Sequence, residues 1–270
     1  MRIRAVIPVM TLLSIISGNL YASGNSEIEK LLRSCNAGNM ADCSYLGYLY
    51  DEGKEVKQDP FKANVFYRKA CDGGYMLSCG NLGISYFKGE GVTQDYFKAN
   101  ELFQKACDNG HMPSCGYLGV SYFKGEGVTQ SYFKANELFK KACDGGEVRG
   151  CYSLGISYVA GEGVKQDYFK ASKLFQKSCE RGMMKGCDNL GISYVTGKGV
   201  KQDYFKANEL FQKACYGGEA AGCYDLGISY LRGEGVKQNY SKAKELFGKS
   251  CDAGNQKGCD RYKQLNEEGY

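Results

Sequence analysis

A chain of 270 residues with 43% apolar residues is too apolar for wholesale disorder and too polar to be embedded in a membrane as a whole. Its 35 Lys+Arg against 30 Asp+Glu leave a net charge of +5, a mixed surface without the basic stripe that a nucleic-acid backbone demands, so a nucleic-acid partner is not expected. One histidine, His111, cannot build a histidine zinc centre, and cysteine ligands would need reduced thiols; no metal and no cofactor are expected.

The N-terminus reads as a secretory leader. Arg2 and Arg4 form a short basic region, Ala5 to Ser17 is mostly apolar, and Leu20-Tyr21-Ala22 ends in a small residue where a peptidase could cut. The apolar run is shorter than the roughly 20 residues a membrane-spanning helix needs. The expectation is a signal peptide over residues 1–22 and a mature chain over 23–270 with no membrane anchor. No cysteine adjoins the cut, which argues against a lipid anchor there. Ser26-Glu27-Ile28-Glu29 then forms a capping box, opening a helix with Ile28, Leu31, Leu32 and Cys35 on one face.

From Cys35 onward the chain is periodic. The cysteines are Cys35, Cys43, Cys71, Cys79, Cys107, Cys115, Cys143, Cys151, Cys179, Cys187, Cys215, Cys223, Cys251 and Cys259. They form seven pairs, each separated by eight positions and recurring every 36 residues. A period of this size marks a repeat architecture. In an exported chain such cysteines are read as disulfides. The sequence leaves other connectivities open; period and proximity favour local pairing, i to i+8.

Each period predicts two helices. The first carries Met76, Cys79, Leu82 and Tyr86 at helical spacing, with Gly83 among them. A mid-helix glycine costs about 1 kcal/mol against alanine, so its recurrence beside each leucine predicts a neighbour packed too close for a side chain. A Gly-x-Gly-Val turn follows from Gly89, Gly125, Gly161, Gly197 and Gly233. Asp59, Asp95, Ser131, Asp167, Asp203 and Asn239 are predicted N-caps of the second helix, whose apolar face carries Ala99, Leu102, Phe103 and Ala106. Glycine pairs such as Gly73-Gly74 are expected to end that helix and let the chain reverse. At the far end Tyr262-Lys263 replaces Leu-Gly, and Gln264, Asn266, Glu267 and Glu268 make a polar last helix, as a solenoid end in contact with water requires.

The run Leu82-Gly83-Ile84-Ser85-Tyr86, then Gly89-Glu90-Gly91-Val92, Asp95, Lys98-Ala99 and Lys105-Ala106-Cys107, resembles the Sel1-like repeat. The added cysteine pair resembles the Helicobacter cysteine-rich protein family of exported bacterial Sel1-like proteins. The resemblance covers about residues 26–268. It implies an all-α, right-handed α/α superhelical solenoid of the Sel1-like/TPR-like kind, and export to the periplasm or beyond. It also implies a catalogued label of penicillin-binding protein or slow β-lactamase, and, for Sel1-like proteins more widely, an adaptor role. It supplies no catalytic residues.

The sequence offers little for catalysis. Ser-x-x-Lys occurs at Ser85/Lys88, Ser121/Lys124, Ser131/Lys134 and Ser241/Lys244, without Ser-Asp-Asn or Lys-Thr-Gly, and all four fall on scaffold columns. Glu90, Glu126, Glu162 and Glu234 read as solvated turn residues rather than paired acid–base carboxylates. Binding is better motivated, because stacked helix pairs make an extended concave groove. If the first helices line it, as in similar repeats, two variable columns face a ligand. One, two positions after the second cysteine, is Tyr45, Asn81, Tyr117, Ser153, Asn189 and Asp225; the other, directly after it, is Ser44, Gly80, Gly116, Tyr152, Asp188 and Tyr224. The expected ligand is a peptide, a cell-wall fragment or a protein, with slow β-lactam hydrolysis as the resemblance implies. The alternative is a non-enzymatic secreted adaptor. A periplasmic or secreted monomer is expected.

Overall fold

A computed structural model describes residues 26–270. The expected leader over 1–22 lies outside the described residues. Within them the chain is all helical, with no strand. Helix α1 spans 26–36. Helix pairs follow in strict order: α2 Met40–Glu52 with α3 Pro60–Asp72, α4 Met76–Lys88 with α5 Tyr96–Asp108, α6 Met112–Lys124 with α7 Tyr132–Asp144, and α8 Val148–Ala160 with α9 Tyr168–Glu180. Then come α10 Met184–Thr196 with α11 Tyr204–Tyr216, α12 Ala220–Arg232 with α13 Tyr240–Asp252, and the closing helix α14 Gln256–Glu267. The chain forms two compact units, Met1–His111 and Met112–Tyr270. The described part of the first holds α1–α5, and the second holds α6–α14.

The second helices begin where a side chain can cap them. Asp59, Asp95, Ser131, Asp167, Asp203 and Asn239 each accept from the backbone N–H three residues on. That satisfies one of the donors a helix start leaves open. Pro60 occupies the first turn of α3, where no N–H is needed. At the reversal after each second helix only the second residue of the expected glycine pair is left-handed: Gly74 has φ +90°, whereas Gly73 has φ −78°. This explains why Asn109, Arg181 and Ala253 can stand in the first position.

Within each pair the helices touch at the recurrent mid-helix glycine. A Cβ on Gly83 would lie 2.6 Å from Phe103 Cε1, and one on Gly191 would lie 2.5 Å from Phe211 Cε1. The close neighbour is therefore the aromatic ring of the second helix in the same repeat; Tyr67 plays that part against Gly47. Phe103, Phe139, Phe175, Phe211 and Phe247 are all buried, together with the alanine one turn before each and the alanine, or Ser178 or Ser250, one turn after. The turn inside each pair is closed by a glutamine: Gln94 Nε2 donates to the Phe87 carbonyl at 2.9 Å and Gln202 Nε2 to that of Val195 at 2.7 Å.

Two polar locks join successive repeats. Asn64, Asn136 and Asn208 donate from Nδ2 to the carbonyls of Glu90, Glu162 and Glu234, at 2.7, 2.6 and 2.7 Å. Lys105, Lys177 and Lys213 donate from Nζ to the carbonyls of Cys71, Cys143 and Cys179, at 3.2, 3.2 and 3.3 Å.

Disulfides tie the end of one helix to the start of the next. Cys35–Cys43, Cys71–Cys79, Cys143–Cys151, Cys179–Cys187, Cys215–Cys223 and Cys251–Cys259 are bridged, with Cα separations of 4.4 to 4.8 Å. Cys107 and Cys115 are disulfide-bonded as well, and no described cysteine is free. The bridged cysteines are buried in the core between helices, except the half-buried Cys251 and Cys259 of the last bridge, so the first six bridges double as packing.

Candidate functional site

In the second unit the first helices approach one another across repeats, α6 with α8 and α10 with α12. Polar side chains bridge them. Arg149 Nη1 on α8 donates to the Tyr117 hydroxyl on α6 at 3.4 Å. Asn189 Nδ2 on α10 donates to the Tyr152 hydroxyl on α8 at 3.4 Å, and to the Lys185 carbonyl at 3.0 Å. The carboxyl groups of Asp188 on α10 and Asp225 on α12 lie within hydrogen-bonding reach, and Lys257 on α14 acts on Asp225 from the far side. A polar row thus runs over five consecutive first helices.

Of the six positions of the first variable column, Tyr117, Asn189 and Asp225 join this row. Ser153 is half-buried on α8, next to Tyr152. Tyr45 and Asn81 belong to the first unit. Tyr45 is exposed and stacks on Tyr48 with ring centroids 6.2 Å apart. Asn81 faces the Tyr67 hydroxyl, and its own carbonyl accepts from Ser85 Oγ at 3.3 Å.

The second variable column follows a packing rule that the sequence did not reveal. Tyr152 and Tyr224 lay their rings over Phe175 and Phe247, at 5.9 and 5.6 Å between centroids. Where that column is Gly80 or Gly116, the cover comes instead from Phe87 or Phe123, 6.3 and 6.4 Å from Phe103 and Phe139. The repeat of α10 and α11 has neither: Asp188 stands in the tyrosine position and Val195 in the phenylalanine position. The rule was readable in principle as a covariation between two columns, tyrosine with valine or leucine and glycine with phenylalanine.

Asp188 is consequently a carboxylic acid in a place built for a ring. It is 5% exposed, and its Oδ1 is buried without a hydrogen-bond partner. Burial, and then the negative charges of Asp225 and Glu219, push its pKa up to about 7. Burial likewise pushes Asp225 up to about 6, against the opposing effects of its hydrogen bond with Asp188 and of Lys257. Two carboxyls this close cannot both ionise freely. Tyr152 is shifted upward as well, by burial.

The serine–lysine pairs are not arranged as catalytic dyads. Ser85 Oγ is spent on the Asn81 carbonyl, and Lys88 pairs with Glu90 at 3.4 Å. Ser121 Oγ is buried, and Lys124 pairs with Glu126 at 3.5 Å. Ser131 caps α7, and Lys244 Nζ donates to the Tyr270 carbonyl. Among the described residues no cluster of His, Cys, Asp and Glu could hold a metal ion, and no helix is long and apolar enough to cross a membrane.

The fold and the stapled pairs define a helical-repeat protein of the solenoid class. The Sel1 repeat matches residues 42–75, 77–111, 113–147, 148–183, 185–219 and 220–255. The chain belongs to the Sel1 repeat family, with a disulfide added to each repeat. It is similar to a protective antigen of uropathogenic Escherichia coli that displays an SLR fold, at 32% identity and TM-score 0.81 over 90% of this chain and 52% of that one. It therefore spans about half the length of that antigen. A Sel1 repeat protein from Oxalobacter formigenes is similar at 25% identity and TM-score 0.74, over 86% of this chain and 96% of that one. Cysteine rich protein B of Helicobacter pylori shares 32% identity over 48% of this chain and 93% of its own, with a TM-score of 0.40. No curated protein matches the chain.

Proposed function

We propose that this protein is an exported interaction module that binds an extended peptide segment, of a protein or of cell-wall material, across the first helices of its second unit. The observation that carries the reading is the polar row from Tyr117 through Arg149, Tyr152, Asn189 and the aspartate pair to Lys257. Such a row offers donors and acceptors at intervals along a rigid scaffold, which suits main-chain amides of an extended ligand. The disulfides support export, since bridges of this density persist in oxidising compartments, the periplasm or outside the cell. Cleavage of a leader over 1–22 belongs to the same proposal; the mass of the secreted protein tests it.

The binding reading is tested by selecting peptides from a random displayed library against the oxidised protein. Tyr117→Ala and Asn189→Ala should each weaken the selected peptides about tenfold, or about 1.4 kcal/mol. Peptides that bind equally well to both variants would overturn it. Penicillin hydrolysis rests on the resemblance alone; in this proposal the β-lactam is at most a weak occupant of the same face. Incubation with penicillin, followed by intact mass, should show no covalent adduct.

A further inference from the structure

Resting on the peptide-binding reading, the geometry points to one ligand group: we propose that the Asp188–Asp225 pair is the receptor for a single alkylammonium group, a lysine side chain of the bound peptide. Three observations meet there. Asp188 is 5% exposed yet keeps one carboxyl oxygen, Oδ1, without any partner. A buried polar atom left unpaired costs about 1–3 kcal/mol and is rare in a finished core. Second, the adjacent repeats fill this position with tyrosine rings lying over Phe175 and Phe247, so an aspartate here forgoes packing that the scaffold otherwise makes. Third, the charges facing the pair are unbalanced. Asp188 meets Asp225 and Glu219 from α12 and its N-cap, and among the described residues the cation acting on the pair is Lys257 of α14, through Asp225. From α8 the facing group is Tyr152, whose hydroxyl accepts from Asn189 of α10.

Below about pH 7 the free pair holds a proton that its burial and mutual repulsion retain. An incoming ammonium brings three donors and a positive charge to the same oxygens and displaces that proton into solvent. The carboxyl O–H bond breaks and its proton passes to water, while the ammonium itself makes only hydrogen bonds and a charge pair. Asp225, half-buried at the edge, is the side of approach.

The test uses the full oxidised chain and two probes: a blocked pentapeptide of four glycines with a central lysine, and its ε-acetylated twin. The side-chain carboxyl carbons of Asp188 and Asp225 are followed by NMR at pH 7. The lysine peptide should move both resonances, and acetylation should weaken binding at least about tenfold. Asp188→Asn, which keeps the shape and removes the charge, should cost the lysine peptide a similar factor and leave the twin unaffected. Affinity for the lysine peptide should rise roughly a hundredfold from pH 5 to pH 8 as the competing proton, held with a pKa of about 7, is lost. Equal binding of the two probes, unmoved carboxyl resonances up to about 10 mM peptide, or a flat pH profile would each overturn the proposal. Those results would leave the library selection with Tyr117→Ala and Asn189→Ala to decide the broader reading by itself.

Discussion

Asp188 occupies the position that carries Tyr152 in α8 and Tyr224 in α12, and the consequence is a carboxyl whose pKa is about 7 instead of the usual 3.8. In the unfolded chain the same group titrates near its ordinary value. Between the two the folded protein binds more protons than the unfolded one, so stability falls as pH rises through that window. The full penalty is present above about pH 7. The oxidised protein without ligand is expected to melt lower at pH 8 than at pH 5, and Asp188→Asn should raise the melting temperature at pH 8 and flatten the profile. An unchanged profile in the variant would show that other groups set the dependence. The mid-helix glycines are decided at the same scale. Alanine is the better helix former by about 1 kcal/mol, yet Gly83→Ala would drive a Cβ to 2.6 Å from the Phe103 ring. Overpacking of this kind costs about 1–3 kcal/mol, so urea denaturation of Gly83→Ala should show a net loss of stability.

The second helices were legible at the element scale because their signals are local. An N-cap side chain, a first-turn proline and an i, i+3, i+4, i+7 apolar face each act within one or two turns. Asp95→Ala should therefore cost about 1 kcal/mol by chemical denaturation, and Asp95→Asn much less, since either side chain can accept from Lys98 N–H. The reversals were legible only in part. Composition shows where glycine recurs, but only backbone geometry shows that one residue of each pair needs the left-handed conformation. Glu55, with φ +63°, takes such a conformation in the turn of the first pair, where later repeats have glycine. The asparagine locks at Asn64, Asn136 and Asn208 were visible as a column in the sequence, but their acceptors lie 26 residues away in the next turn, beyond any local pattern.

Within each unit consecutive helices pack on one another, from α2 to α5 and from α6 to α14, so the stability of each unit is close to a sum of repeat and nearest-neighbour terms. A bridge at each hairpin then acts on every term at once. In the loop-entropy model each short closed loop contributes roughly 2–3 kcal/mol, with no requirement that the contributions add. Full reduction is expected to lower the melting temperature sharply and to loosen or abolish the helical circular-dichroism signal. A reduced protein with the same midpoint and signal would show that the bridges are not structural.

The repeat length, the two-helix unit, the caps and the polar closing helix were determined by the sequence alone, because each depends on residues near in the chain or on the period itself. Part of the polar row proposed to bind was named in outline: Tyr117, Asn189 and Asp225 were singled out by variation among repeats. What they do there was decided only by tertiary structure. Whether a carboxylate is solvated or buried, and whether its neighbour is another carboxylate, depends on which helices of successive repeats meet. Asp188 and Asp225 are 37 positions apart, one repeat and one residue, and only the stacking of α10 on α12 turns two ordinary aspartates into one shared acid.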